Sequence, residues 1–532
     1  MRSHPSPRVV LAALAIVLAG ALTACTSGGG QSSGTPVAGK TFTFAAASDP
    51  GSLDPQMTVL SEALAIDLYL YDSLIAVAPD GSVVPNLAQS WHATGRTATF
   101  TLRPGITCDD GSQLTASDVA ANFNLIANPK NQSPMLGLLV LPGTKAAGND
   151  ATRTVTIVSR QPDSFLVTNL GTVLITCRAG LKDRAGLAKG KYGTGMYTMT
   201  SLVAGATYTL KLRKGYAWPP GTSTKLATGV PSEVVVKVIQ NQTTAANLLL
   251  AGQINAAMIT SADRKRLSAR KLASIDSDEA IGQLWFNQAH DGPWSDPAVR
   301  TAMVQALKLN ELSAIATSGH PLPPRGLVTS KPSVCSGDSV TGNLAPYDLS
   351  AAAAALDSAG WIKSSNGLRK KGGKTLSVRL VYETTDGQAM ASAAELVQQS
   401  WRSLGADVKV RGLDAPGLNT ALFTTGDWDV SMASFNFSLP NQMIPFVSGP
   451  SAPNGTNFAG IDNPTYNAAA AKATTEVGAA SCPTWTAAQR ALVKDVDVVP
   501  YADTATPMFA KNATFSLYYG WIVPSSIRML SP

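Results

Sequence analysis

The sequence predicts an α/β protein built from at least two lobes, and three observations point there. The chain has 532 residues, roughly three to four times a typical domain, so a single core is too small for it. Short β-like runs alternate with helical ones along its length, the pattern of α/β architecture. Its composition, 14% charged and 45% hydrophobic, is lean in charge without being oily. Disorder needs low hydrophobicity and many like charges. A polytopic membrane protein needs several apolar runs of about 20 residues, and none follows the N-terminus.

The first unit opens with a strand over 41–47 and a helix around 61–71. A strand over 97–103 ends at Pro104-Gly105, a turn signal. Thr115 and Asp118 form a capping-box variant that opens a helix through Ala127, with Val119, Phe123 and Ile126 on its apolar side. Strands over 154–159, 207–213 and 233–239 precede a helix over 243–252 and a strand over 254–259. In the second unit, Asp296 and Pro297 supply an N-cap and an N1 proline for a helix running to about Ile315. Asp348 caps an Ala-rich helix that stops at Gly360. Leu376, Val378, Leu380 and Tyr382 share one strand face by period two. A helix over 388–404, a strand over 407–413 and another over 428–435 complete the unit. Two further segments, 280–288 and 498–510, read as extended, and no internal repeat is visible.

The N-terminus carries an address. Arg2 and Arg8 precede an apolar run over 9–22 and the small residues Thr23 and Ala24, the layout of an export signal over residues 1–24. The alternative is a short membrane anchor, but fourteen residues at about 1.5 Å each reach only about 21 Å, short of a hydrocarbon core of roughly 30 Å. Leu22-Thr23-Ala24-Cys25 resembles a bacterial lipobox, which implies diacylglycerol on the Cys25 thiol, cleavage before it and acylation of the new amine. The Gly/Ser-rich residues 25–40 then form a flexible tether with a reach of about 20 Å. The expected location is the outer face of the cytoplasmic membrane, anchored by lipid and not spanning.

Removing residues 1–24 takes Arg2 and Arg8 and lowers the formal charge from +7 to about +5. That excess is too small and too dispersed for a nucleic-acid partner. The densest basic run, Arg264, Lys265, Arg266, Arg270 and Lys271, alternates with Leu267 and Leu272 and reads as a solvated helix face. With Cys25 lipidated, Cys108, Cys177, Cys335 and Cys482 remain, which permits three disulfide pairings in an exported protein. No CxxC or Cys/His spacing points to zinc, so no metal and no cofactor is expected.

Ten motifs in sequence order resemble one family. They are DPGSLDP at 49–55, YDSLI at 71–75, PNLAQSW at 85–91, FTLRPGITCDDGSQLTASDV at 100–119 and GTGMY at 193–197. LLLAGQI at 248–254, LWFN at 284–287, DPAVRTA at 296–302, LDSAGW at 356–361 and GDWDV at 426–430 follow. This series is similar to the solute-binding lipoproteins of ABC importers for peptides and nickel, the extracellular solute-binding family 5 of oligopeptide- and dipeptide-binding type. The resemblance implies an α/β, two-lobe periplasmic-binding-protein-like fold (type II, cluster C) with an extra subdomain inserted in lobe one. The implied boundaries are 41–284 for lobe one, with the insertion at about 90–190, then 285–499 for lobe two and 500–532 for the return to lobe one. The segments 280–288 and 498–510 become crossovers and form a hinge. Each disulfide lies within one lobe if the pairs are Cys108–Cys177 and Cys335–Cys482. The implied partners are a peptide or other small solute and the ABC permease and ATPase subunits, with the receptor a monomer.

In the peptide binders, the loop after the strand that holds Asp429–Ser434 carries an aspartate that pairs with the ligand's α-ammonium. Here that loop, 434–441, reads SFNFSLPN and has no carboxylate. A buried ammonium without a counter-charge is costly. Longer or blocked peptides, or a non-peptide solute such as a metal chelate, haem or sugar, are therefore the alternatives. The expected ligand-binding residues are Asn436, Phe437 and Ser438, with Thr58, Val59 and Leu60 opposite them and Tyr382 and Trp428 as aromatic walls. Each of these has ordinary packing as its competing explanation. An enzyme, a cell-wall hydrolase or peptidase, is the remaining class. The serine motifs at 30–34 (GQSSG) and 268–271 (SARK) lack the strand–turn–helix context and partner motifs that catalysis requires. His92, His290 and His320 stand apart from one another, so no catalytic residue is assigned.

Overall fold

The computed structural model describes residues 34–289, 292–384 and 387–531. The export signal, Cys25, Ser32 and His290 lie outside them. β1 (Thr41–Ala46) buries Phe42 and Phe44 on one face, and α1 (Ser61–Leu70) follows it. β2 (Ala88–Ala93), β3 (Thr97–Leu102), β4 (Lys145–Asn149) and β5 (Thr154–Val158) form a separate antiparallel sheet in the order β2-β3-β5-β4. Between β3 and β4 runs α2 (Ala116–Ala127), opened by the reciprocal cap in which Asp118 N donates to Thr115 Oγ1 and Thr115 N donates to Asp118 Oδ2, both at 3.1 Å. Val119, Phe123 and Ile126 are its buried stripe.

β6 (Tyr197–Val203), β7 (Thr207–Leu212) and β8 (Glu233–Val238) join side by side, and β8 pairs in parallel with β1. α3 (Gln242–Ala251) ends at Gly252, whose φ of 73° makes glycine the natural residue there. β9 (Ala256–Met258) and the long β10 (Ala273–Phe286) follow. Beyond it lie α4 (Pro297–Gln305), α5 (Leu309–Ala316) and α6 (Leu349–Ser358). Next come β11 (Ser377–Glu383), α7 (Gly387–Leu404), β12 (Asp407–Leu413) and β13 (Val430–Ser431). α8 (Pro464–Ala473), α9 (Cys482–Lys494), β14 (Val498–Ala510), β15 (Leu517–Tyr518) and β16 (Trp521–Ile522) complete the elements used below.

One sheet runs through the molecule in the order β12-β11-β13-β10-β14-β9-β1-β8-β7-β6, with Pro321–Leu322 paired beside β14. β10 and β14 lie antiparallel at its centre, from Ala273 opposite Ala510 to Trp285 opposite Val498. At one end, Ala256, Met508 and Ala510 join a core with Phe42 and Phe44. At the other, Leu284, Phe286, Val499 and Tyr501 join a core with Val378, Leu380 and Trp401. The register slips on both sides of Gly282, where a Cβ would overlap the Tyr501 ring. A bulge at a glycine lets the two halves of the ribbon twist independently. The disulfides join Cys108 to Cys177 and Cys335 to Cys482.

Two elements differ from the sequence reading. The helix expected from Pro297 to about Ile315 breaks at Ala306, Leu307 and Lys308. The break sends α4 against α6 and α5 against α7, so both apolar stripes find partners that one straight rod could not reach. The strand expected over 428–435 contracts to Val430–Ser431, because at Phe435 the backbone is held by the Gln283 side-chain amide instead of a neighbouring strand.

Candidate functional site: a cavity between the lobes

A cavity of about 750 Å³ lies between the two cores. Lobe one supplies most of its wall: residues 44–47 at the end of β1, the exposed side of α1, and the apolar side chains Met135, Leu138, Leu139 and Val173. The floor is the crossing ribbon, through Ser277, Asp278 and Glu279 of β10 and Thr506 and Met508 of β14. Lobe two closes over it with Ser330, Lys331, Asn436, Ser438, Leu439 and Gln442, and the β15–β16 hairpin with the residues after it adds Tyr518, Tyr519 and Trp521.

The charged groups on the wall are mostly acidic. Asp72 is buried and fully used: its carboxylate accepts from Trp218 Nε1 at 2.9 Å, Tyr216 Oη at 3.0 Å and Thr194 Oγ1 at 3.1 Å. Burial pushes its pKa up to about 6 even though all three bonds favour the anion. Asp278 forms an ion pair with Lys331 across the lobes. Glu279 accepts from Thr506 Oγ1 at 3.1 Å and is exposed. Glu62, in the first turn of α1, has no ion-pair or hydrogen-bond partner among the described residues. Asn86 and Asn169 also line the cavity, each nine-tenths buried or more, and each has a side-chain carbonyl oxygen with no donor. The described walls contain no histidine or cysteine.

The loop at 434–442 is positioned by two reciprocal amide pairs. Asn436 Oδ1 accepts from Ala280 N at 2.8 Å, and its Nδ2 donates to Ala280 O at 3.1 Å. Gln283 does the same for Phe435, donating to its O at 3.1 Å and accepting from its N at 3.0 Å. Thr329 Oγ1 adds a bond to Asn436 Oδ1 at 2.9 Å. Asn436 therefore lines the cavity with its amide committed to the hinge strand.

The residues expected at the site divide accordingly. Val59, Asn436 and Ser438 line the cavity. Thr58 is buried, and its hydroxyl accepts from Leu60 N at 3.1 Å in the turn before α1, while Leu60 points outward at 56% exposure. Phe437 packs on Phe446 with ring centroids 5.4 Å apart and anchors the loop in lobe two. Trp428 is 0% exposed beside Phe458 in the same core. Tyr382 lies over Gly412 on the β11–β12 pair. Neither aromatic reaches the cavity, because β11 and the segment before β13 face the helices of lobe two. Ser268 is exposed in the helix Asp263–Ala269, and Lys271 is exposed in the turn after it. The sequence reading missed Glu62, Asp278, Glu279, Lys331 and Gln283. The usable signal was in β10, whose first half carries Asp276, Asp278 and Glu279 and whose second half is apolar apart from Gln283.

The lobes also meet at residues that do not line the cavity. Asp163-Ser164-Phe165, from the loop after β5, reaches lobe two: Asn441 Nδ2 donates to Asp163 Oδ1 at 2.7 Å, and Ser164 Oγ donates to Ala473 O at 2.6 Å. Gly478 N donates to Ser164 O at 2.7 Å, and Trp485 Nε1 donates to Ser164 Oγ at 3.2 Å. Phe165 is 1% exposed and packs within the core of lobe two.

Asp503, on β14 beside the Asp278–Lys331 pair, has its pKa raised from the usual 3.8 to about 7, first by burial and then by repulsion from Asp278, with Lys331 opposing. The folded chain therefore holds a proton here that the unfolded chain releases near pH 4. Stability from this group is full at acidic pH and declines as pH rises through about 7. The melting temperature should be higher at pH 5.5 than at pH 8, and Asp503→Asn should flatten that difference; an unchanged pH profile in the variant would refute the assignment.

The profile of the bacterial extracellular solute-binding proteins, family 5 Middle, matches residues 82–457. The glutathione-binding protein GsiB of Pectobacterium atrosepticum is 26% identical over 432 residues, 79% of each chain. The periplasmic murein peptide-binding protein MppA of Escherichia coli is 24% identical over 482 residues, 85% of each. Among solved structures, the unliganded open form of MppA superposes with a TM-score of 0.73 at 20% identity, covering 94% of this chain and 99% of the other. NikA of Brucella suis with Fe(III)-EDTA gives 0.72 at 22% identity, covering 92% and 99%. These likenesses establish the two-lobed fold. None of the described helices is long and apolar enough to cross a membrane.

Proposed function

The chain belongs to the bacterial extracellular solute-binding proteins of family 5, and from that premise we propose that it is the lipid-anchored receptor of an ABC importer for peptides. Lobe one is taken as 41–284 with 500–532, and lobe two as 285–499. The supporting observation is the cavity of about 750 Å³ enclosed between lobes that share the β10–β14 ribbon, within the usual range for small-ligand sites of about 300–1,000 Å³. Solute enters when the cleft opens, contacts both walls, and holds the closed form only by its extra affinity for it. The closed receptor then docks on the permease. Cys25 holds the body at the membrane through its lipid and the tether that follows.

The missing carboxylate in the 434–441 loop does not leave an ammonium without a counter-charge. Glu62 and Glu279 face the same cavity, and Asn86 and Asn169 offer acceptors without donors. We place the peptide's amino group against this acidic wall and its apolar side chains against Val59, Leu138 and Leu139. The second reading, a non-peptide solute, is favoured by the absent loop aspartate; mass spectrometry of ligand co-purified from the native host separates the two.

Peptides with free amino termini, at about a hundredfold over Kd, should stabilise the mature chain by about 2.7 kcal/mol and raise its melting temperature by roughly 2–3 °C. N-acetylated counterparts should bind less tightly, and Glu62→Gln with Glu279→Gln should erase the difference. Detergent-phase partitioning should be lost in Cys25→Ala. A broad peptide panel that leaves the melting temperature unmoved would sink the peptide reading.

A further inference from the structure

We infer that Asp163-Ser164-Phe165 is a latch that holds the lobes closed without help from ligand, and that Phe165 is a positioning residue setting affinity from outside the cavity. The latch stands beyond the cavity wall: none of its three residues lines the cavity, although the short helix that follows contributes Thr168, Asn169 and Thr172 to the wall. Its aromatic ring belongs to the other lobe. Phe165 comes from the segment after β5, yet its apolar neighbours are in the core that contains Trp285, Leu439, Tyr466 and Trp485.

Polar groups that would otherwise hydrate are matched around the ring. Asp163 is 3% exposed and accepts from Phe165 N at 2.8 Å and Asn169 Nδ2 at 2.8 Å within its own lobe, and from Asn441 at 2.7 Å across the gap. Ser164 makes the three bonds to Ala473, Gly478 and Trp485 described above. Opening the cleft would break four hydrogen bonds and expose a phenyl ring together with the socket that receives it. Those costs are independent of ligand, because no latch residue faces the cavity. Closure is therefore favourable in the empty protein, and a solute entering or leaving must wait for the latch to release. On the reading that solute binds in this cavity, the latch slows release and tightens binding without touching the solute.

Small-angle scattering of the ligand-free mature chain tests the latch directly. The wild type should show a radius of gyration near 23 Å, as for a compact chain of this size, and Phe165→Ala should exceed it by about 1 Å. Its circular dichroism should show the wild-type fold, while its melting temperature should fall by several degrees because the ring is lost from the lobe-two core. Peptide should compact the variant and leave the wild type unchanged. Stopped-flow release should be about 100-fold faster in Phe165→Ala, with Phe165→Leu between the two and Asn441→Ala giving a smaller increase. Unchanged scattering in ligand-free Phe165→Ala overturns the latch whether or not a ligand is known. Expansion of that variant while no peptide binds upholds the latch and refutes the peptide reading instead.

Discussion

Arg300→Ala should lower the stability of lobe two by about 3–5 kcal/mol, the cost of leaving a buried charge unpaired. Arg300 and Asp497 have side-chain exposures of 4% and 3% and meet at 2.8 Å. The guanidinium also donates to Trp294 O at 2.8 Å, Val496 O at 3.0 Å and Asp495 O at 2.8 Å, so it ties the start of α4 to the turn that leads into β14. Asp497 is held in return by Asn463 Nδ2 at 2.8 Å and Gln288 Nε2 at 3.0 Å. Burial lowers the arginine's pKa and raises the aspartate's, so desolvation works against both partners. Removing the arginine strands the carboxylate and three carbonyls together. The expected melting temperature falls by about 10 °C. The double variant Arg300→Met with Asp497→Leu should regain most of the loss, because an apolar pair escapes the desolvation cost. A loss below 1 kcal/mol in the single variant, read by urea titration of tryptophan fluorescence, would show that the pair contributes little.

Gly193→Ala should have the second largest effect, about 3 kcal/mol of stability with a drop in ligand affinity. A Cβ at this position would overlap the Leu70 carbonyl oxygen, and one at Gly195 would crowd the same turn. Gly195 N donates to that oxygen at 2.9 Å, so the Gly193-Thr194-Gly195 strand turn fits directly against the last turn of α1. The obstacle is backbone, which cannot rotate away. The helix must shift, and its other end carries Glu62 on the cavity wall. Calorimetry on a ligand that binds the wild type, together with thermal melting, reads both effects. A variant that melts and binds like the wild type would mean that the turn relaxes without moving α1.

The glycines at 193 and 195 sit in a turn packed against Leu70 at the end of α1, and Gly190 before them has a φ of 75°. Val59, Asn436 and Ser438 were legible because the motif order locates the loops that face the cleft. Trp428 and Tyr382 were not, since an aromatic near a strand end has the same local pattern whether it faces a cleft or a core. Asn436 was legible as a position but not as a role, because its amide is committed to Ala280, 156 residues away.

What the sequence determined by itself is what depends on near neighbours and on order along the chain. That covers the alternation of elements, the cap at Thr115 and Asp118, the helix capped by Asp348 and stopped before Gly360, and the succession of motifs that identifies the two-lobed fold. The tertiary structure alone decided which long-range partners meet. Helix 297–316 breaks because its two apolar faces find two different helices. Asp278 meets Lys331, burial raises the pKa of Asp503, and Phe165 packs in the core of the other lobe. Each of these outcomes depends on the desolvation and packing of groups far apart in sequence, and that energy does not exist until the chain has closed on itself.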